Sequence, residues 1–135
     1  MKPLRVFLDA NILFSASLGR GTVPTLTEAL RLRHEAVTAQ LAVDEAQRNL
    51  TRKSPSALAG LEAALAQVVI VSDYGLPHGL DLPVNDSHLL GIAIAHSCTH
   101  FLSGDKRHFG SLYGKNIQGV MILSPSMLLA HPALL

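Results

Sequence analysis

Residues 4–11 read LRVFLDAN, a short apolar run that ends in an aspartate. A run of this length that is rich in strand-forming residues predicts a buried β-strand, here from Leu4 to Leu8. Asp9 therefore stands at the carboxyl end of a strand, with Asn11 shortly after it. Aspartate and asparagine at such an end also favour an Asx turn or a helix cap, so a structural role for this pair stays open beside a functional one.

Outward from this strand, apolar runs and helical patterns alternate along the whole chain. Four further strands are predicted, at Ala36–Ala39, Val68–Val71, Thr99–Ser103 and Val120–Leu123. Helices are predicted at Val23–Arg33, Leu41–Arg52, Pro55–Gln67 and Ser87–Ser97, with a long loop at Ser72–Asn85 and a last helix opened by Ser124-Pro125. The alternation predicts a single α/β domain over residues 1–135, in which a parallel sheet lies between layers of helices.

The composition excludes several classes of protein. The chain has 135 residues, 48% of them hydrophobic and 16% charged, which suits one domain with its own core. Eleven basic and ten acidic residues give a net charge of +1, so a strongly basic nucleic-acid coat is excluded. The single cysteine, Cys98, allows no internal disulfide and favours the reducing cytoplasm. The apolar runs are too short for a membrane span or a signal peptide, so no membrane association is expected.

Four acidic residues are predicted at strand ends or near helix starts, namely Asp9, Asp105, Glu45 and Asp86. Taken singly, each suits a helix cap, a first helical turn or a loop turn. Because open parallel sheets carry their sites outside the carboxyl ends of the strands, we expect the acids to share one rim. Converging carboxylates repel one another without a cation, and oxygen-only ligands favour Mg²⁺ or Mn²⁺ over zinc. Since such an ion can activate water and bind phosphate oxygens, the pattern predicts phosphodiester hydrolysis.

Helix geometry distinguishes the adjacent acids Asp44 and Glu45. At about 100° per residue, the apolar stripe of the predicted helix passes through Ala42, Ala46 and Leu50. Glu45 lies at the edge of that stripe and can reach a cleft beside the core, whereas Asp44 points away from it. Glu45 is therefore the predicted site residue of the two.

Longer motifs around these acids carry a resemblance to a known family. They are FLDANILFSA at residues 7–16, DEAQRNL at 44–50, NDSHLL at 85–90 and FLSGDKRHFG at 101–110. In this order and spacing they resemble the PIN-domain ribonucleases, and especially the VapC-like toxins of bacterial toxin–antitoxin pairs. The resemblance covers nearly the whole chain, and its last motif is the most specific.

The resemblance implies a five-stranded parallel sheet and an endoribonuclease that depends on Mg²⁺ or Mn²⁺. It assigns catalysis and metal binding to an acidic quartet, supported by hydrogen bonds from two polar residues. The quartet is Asp9, Glu45, Asp86 and Asp105, and the supporting residues are Asn11 and Ser103. The resemblance also implies a partner antitoxin that keeps the nuclease silent.

The stretch after the last acid departs from the pattern of some relatives. Where those proteins carry a further acid, this chain has Lys106-Arg107-His108, which puts a second protein-held metal ion in question. Lys106 and Arg107 are interpreted as contacts to RNA phosphates, with solvated turn residues as the alternative. His88 and His108 flank two of the acids, so a substrate contact stays open for either, but cap or turn roles are favoured for both.

Two other functions stay open from the sequence: a PIN nuclease of RNA processing without a toxin role, and a catalytically degenerate RNA-binding module. A zinc site at His96, Cys98 and His100 is set aside because the spacing matches no zinc-ligand pattern. The segment Met127–Leu135 is expected to expose apolar surface for an antitoxin or for a homodimer.

Overall fold

A computed structural model of the protein describes residues 2–77 and 80–134. Within them lie six strands, β1 (Arg5–Leu8), β2 (Glu35–Ala39), β3 (Val69–Val71), β4 (His100–Leu102), β5 (Asn116–Ile117) and β6 (Val120–Leu123). The same residues form seven α-helices, α1 (Ala10–Leu18), α2 (Thr22–Arg33), α3 (Gln40–Lys53), α4 (Leu58–Leu65), α5 (Val84–Ala95), α6 (Lys106–Phe109) and α7 (Pro125–Leu129).

All six strands join one sheet in the order β3-β2-β1-β4-β6-β5, and helices flank it. The outermost pair, β5 with β6, is antiparallel, and every other pair is parallel. The predicted sheet of five parallel strands is confirmed, and β5 is an addition at its edge. Two residues are too few to show alternation in the sequence. The strand forms because Gln118 and Gly119 adopt positive φ and turn the chain back on itself.

The chain reverses its direction of travel across the sheet beside β1. It runs from β1 outward to β2 and β3, then returns to β4 on the other side of β1. Open α/β sheets bind ligands at the carboxyl ends of the strands where such a reversal occurs. The two strands are fixed there by a buried aromatic stack, in which the Phe7 and Phe101 rings lie 5.4 Å apart and Phe109 lies 5.0 Å from Phe101.

Helix α5 begins at Val84, earlier than the predicted start at Ser87. Pro83 takes the N-cap position, and no side chain caps the helix. The expectation that Asp86 stands ahead of this helix is therefore wrong, because Asp86 lies in its first turn. The sequence pattern was misleading because aspartate and asparagine are typical of the N-cap position. An aspartate in the first turn is also favourable, since its negative charge interacts well with the helix dipole.

The predicted helix Pro55–Gln67 consists of two parts. Pro55–Ala57 forms a 3₁₀ turn, and α4 follows it and packs on α1. At the crossing, a Cβ atom built on Gly60 would lie 2.1 Å from the carbonyl oxygen of Ser17. Only glycine therefore lets the two helix backbones approach this closely.

Residues near both ends of the chain meet on His34. The amide of Leu4 donates a hydrogen bond of 2.8 Å to His34 Nδ1, and Nε2 lies 2.7 Å from the carbonyl oxygen of Ala133. Because Nδ1 accepts, Nε2 must carry the proton and donate to Ala133. Leu4 precedes β1 and His34 precedes β2, so this contact lies at the amino edge of the sheet.

The C-terminal segment exposes less apolar surface than predicted. Leu128, Ala133 and Leu134 are buried, so only Met127 and Leu129 expose large apolar side chains among its described residues. Leu135, also part of that prediction, lies outside the described residues. Other large apolar side chains are exposed on β3 and in the segment after it, at Val69, Ile70, Tyr74 and Leu76.

The segment between β3 and α5 is shorter than the predicted Ser72–Asn85 loop, because α5 takes its last residues. Residues 78 and 79 of that prediction lie outside the described part of the chain. Within residues 2–77 and 80–134, no helix is both long enough and apolar enough to cross a lipid bilayer.

Candidate metal centre

Asp9 lies at the point where β1 passes into α1, and it caps that helix. Its Oδ1 accepts from the Ala10 amide at 2.8 Å, and its Oδ2 accepts from Ser103 Oγ at 2.7 Å and from Asn11 Nδ2 at 2.9 Å. The side chain is buried, with 2% of the residue exposed. Burial raises the pKa of Asp9 to about 7, although the Ser103 and Ala10 hydrogen bonds lower it. The cap role and a role in the site are therefore compatible.

Asn11 and Ser103 tie the end of β1 to the end of β4. Asn11 Oδ1 accepts from the Gly104 amide at 2.7 Å, while Ser103 Oγ accepts from the Asp105 amide at 3.1 Å. Both side chains thus contact Asp9. Asn11 also contacts the backbone of Gly104, and Ser103 contacts the backbone of Asp105. The distance between the two strand ends is fixed by side-chain hydrogen bonds as well as by the sheet.

The other acids reach the same place from helices. Glu45 extends from α3, Asp86 from the first turn of α5, and Asp105 caps α6 by accepting from the His108 amide at 3.2 Å. Burial raises the pKa of Glu45, and the negative charges of Asp86 and Asp105 raise it further while Arg48 lowers it. Burial also raises the pKa of Asp86, which His108 lowers and Asp105 raises.

All four predicted acids line one cavity of about 490 Å³ at the carboxyl edge of the sheet. Its lining residues are Asp9, Asn11, Glu45, Asn49, Pro83, Val84, Asn85, Asp86, Asp105 and His108. Asp44 is outside this cavity and accepts a hydrogen bond from Gln40, as the analysis of the helix faces predicts. Three carboxyl groups with raised pKa values in one cavity need a cation if they are to be ionised together.

His108, for which the sequence analysis favoured a cap or turn role, lies in the site. Its Nδ1 lies 2.7 Å from Asp105 Oδ2 and 3.0 Å from Asp86 Oδ2. This nitrogen is buried, yet it has hydrogen-bond geometry to neither oxygen, a condition shared by no other buried side-chain nitrogen or oxygen of the described residues. The available signal was the three-residue spacing from Asp105, which places both side chains on one side of a helical turn.

Asp86, Asp105 and His108 together could hold a metal ion. One ligand atom from each of them lies within 4.8 Å of the other two. Two carboxylate oxygens and a buried nitrogen form a donor set that suits a divalent cation. The described residues therefore fit a cation of the kind that the acids predict, and the donor set includes a nitrogen atom that was not expected.

The remaining predicted residues are less closely involved. Lys106 and Arg107 are exposed and do not line the cavity. His96, Cys98 and His100 are not among the groups of possible metal ligands found in the described residues. Cys98 is a buried thiol, and burial raises its pKa to about 11.

No protein-family model and no curated protein sequence matches the chain. Solved structures do match it. A chain in the crystal structure of VapBC2 from Rickettsia felis, bound to a DNA fragment from their promoter, has a TM-score of 0.69 and 15% identity. A chain in the crystal structure of DNA-bound VapBC from Salmonella typhimurium has a TM-score of 0.66 and 14% identity. Each match covers 90% of this chain and 98% of the other. At this identity the likeness concerns the fold, which is PIN-like.

Proposed function

We propose that the chain is a metal-dependent endoribonuclease of the PIN family and the toxin of a toxin–antitoxin pair. The observation that carries the proposal is the convergence of four carboxylates, distant in sequence, in one cavity at the carboxyl edge of a PIN-like fold. Self-repulsion among these groups makes the cavity costly to build for a protein that binds no cation. This cost argues against the alternative of a degenerate RNA-binding module.

In the proposed mechanism, Asp9, Glu45, Asp86 and Asp105 would hold the metal. A divalent ion bound there would supply an activated water at neutral pH and neutralise charge on the phosphate. Ser103 and Asn11 orient Asp9 through hydrogen bonds to its Oδ2. Asn49 and Asn85, at the cavity wall, offer amide groups to the RNA backbone.

Exposed basic residues near the cavity are the proposed phosphate contacts. Lys106 and Arg107 follow Asp105 directly and project from α6, and Arg48 lies close enough to Glu45 to lower its pKa. None of the three has to be desolvated, so they suit neighbouring phosphates better than the scissile one.

The proposal of an antitoxin partner rests on the matching structures. Both are VapBC complexes bound to DNA, and the match covers nearly the whole of each matched chain. The exposed side chains of Val69, Ile70, Tyr74 and Leu76 supply apolar surface for a partner or for a second copy of the chain.

The test of the enzymatic proposal is cleavage of RNA by the purified protein with Mg²⁺ or Mn²⁺. We expect a chelator to abolish cleavage and Asp9→Asn and Asp86→Asn to reduce it to background. Asp44→Asn is the matched control, because Asp44 is adjacent to Glu45 but lies outside the cavity. Equal cleavage by the wild-type protein and by the Asp9 and Asp86 variants would contradict the assignment of the site.

A further inference from the structure

We propose that His108 Nδ1 is itself a ligand of the metal ion, so that the centre has mixed nitrogen and oxygen coordination. This inference rests on the proposed function and adds a nitrogen atom to its oxygen-only set of metal ligands. Oxygen-only ligands suit Mg²⁺, whereas an imidazole ligand favours divalent transition metals. The centre is therefore expected to select Mn²⁺ over Mg²⁺.

The first support is the distance between the donor atoms. Two neighbouring ligands of an octahedral ion, each about 2.1 Å from it, lie about 3 Å apart. His108 Nδ1 lies 2.7 Å from Asp105 Oδ2 and 3.0 Å from Asp86 Oδ2. The nitrogen thus already stands at ligand spacing from both oxygens, and all three atoms lie within 4.8 Å of one another.

The second support is that the nitrogen is buried within ion-pair distance of two carboxylate oxygens, yet meets hydrogen-bond geometry with no neighbour in the described structure. A buried nitrogen without a hydrogen bond is costly, and proteins keep few such atoms. His108 Nδ1 is one, although two carboxylate oxygens are within reach. A shared cation satisfies the nitrogen and both oxygens at once.

The third support is the rigidity of the turn that carries His108. Its amide donates to Asp105 Oδ1 at 3.2 Å, and the next residue, Phe109, is fully buried against Phe101. The backbone of His108 is therefore held on both sides, and Nδ1 faces the carboxylates without a rearrangement of α6. Preorganisation of this kind is expected of a ligand and is not needed for a solvated turn residue.

A direct test is pulsed electron paramagnetic resonance of the wild-type protein loaded with Mn²⁺. We expect hyperfine coupling between the ion and an imidazole nitrogen, its loss in His108→Gln and its retention in His88→Gln. His88 is the matched control, because it lies near Asp86 in sequence but its ring contacts the carbonyl oxygen of Asp73 and not the cavity. Titration calorimetry should show that His108→Gln weakens Mn²⁺ about tenfold or more, with a smaller change for Mg²⁺.

The outcomes separate this inference from the proposed function. Mn²⁺ binding and RNA cleavage without nitrogen coupling in the wild-type spectrum would overturn the ligand role of His108 and leave the nuclease standing. Coupling that persists in His108→Gln would have the same consequence. If Mn²⁺ does not bind and RNA stays intact, both proposals fail together. The wild-type spectrum decides the matter even if the variant does not fold.

Discussion

Asp9 is subject to two opposing influences. Burial favours the protonated carboxyl group, whereas the donors at Ser103 and Ala10 favour the carboxylate. Burial has the larger effect, so the pKa of Asp9 rises from 3.8 to about 7. In the absence of a cation, the folded chain therefore holds the Asp9 proton more tightly than the unfolded chain does.

A dependence of stability on pH follows from this pKa. The contribution of Asp9 is fully present below about pH 4 and is lost as the pH rises towards 7, because only the unfolded chain releases the proton in that window. With a chelator present, we expect the free energy of unfolding of the wild type to fall by up to about 4 kcal/mol relative to Asp9→Asn between these values. Denaturant unfolding at several pH values measures the difference. Parallel curves for the two proteins would refute the raised pKa.

Ser103→Ala should impair metal binding without removing a ligand. The change removes a donor that lowers the pKa of Asp9, so that pKa rises further, and it also removes the acceptor of the Asp105 amide. We expect Mn²⁺ affinity at pH 7 to fall about 10- to 100-fold, with partial recovery at higher pH. Calorimetric titrations across pH provide the measurement.

Ser17→Ala is the control for that experiment, because Ser17 is also buried but donates to the carbonyl oxygen of Leu13 in α1. A Ser103→Ala protein whose affinity falls equally at every pH would show that the hydroxyl does not act through the Asp9 carboxyl group.

At the residue scale, the placement of the acids could be predicted from local patterns. Asp9 and Asp105 follow apolar strands, and helical periodicity alone distinguishes Glu45 from Asp44. For His108 the spacing from Asp105 is a local signal, but its approach to Asp86 joins two segments that no local pattern relates. Asn49 and Asn85 could not be predicted from local patterns either, because they reach the cavity through the packing of α3 and α5 around the strand ends.

Among the elements, the crossing of α1 and α4 is sensitive to the addition of one methyl group. Gly60→Ala should destabilise the protein by about 1–3 kcal/mol, because the added methyl group meets the Ser17 carbonyl oxygen, which belongs to the backbone and cannot move aside cheaply. This loss exceeds the gain of up to about 1 kcal/mol that alanine brings to an ordinary helix position. Denaturant unfolding measures both effects together.

Gly110→Ala is the matched control, since the nearest atom to its added methyl group is Lys106 Cβ at 4.0 Å, an ordinary contact. Equal stability of the two variants would mean that the helices can separate at Gly60 without cost.

The parallel strands were predictable together with their ends, whereas the start of α5 and the existence of β5 were not. The five parallel strands are apolar runs, and their bounds agree with the prediction to within a residue or so at each end. Helix α5 starts early because Pro83 suits the position before a helix, while Asn85-Asp86 imitates a cap. Strand β5 exists through its pairing with β6, which leaves no mark in its own two residues.

At the scale of the whole molecule, His34 joins distant parts of the chain. His34→Ala leaves the Leu4 amide and the Ala133 carbonyl oxygen without their partner, so we expect a loss of about 1–3 kcal/mol in the free energy of unfolding. Mn²⁺ affinity should stay unchanged, because the contact lies at the edge of the sheet opposite the acids. Thermal unfolding and calorimetry on the same sample test both statements.

His88→Ala serves as the control for His34→Ala, since its ring makes one peripheral contact. If the two variants were equally stable, the His34 contact would contribute nothing to the fold.

The meeting of Leu4 and Ala133 on His34 also decides where foreign polypeptide can be joined. A purification handle or a fluorescent reporter joined beside Leu4 or Ala133 starts from the amino edge of the sheet, across the molecule from the cavity. Large fusions at these positions are therefore compatible with an open cavity. An anchor at one of them can fix the protein to a solid support with its cavity turned towards the solution.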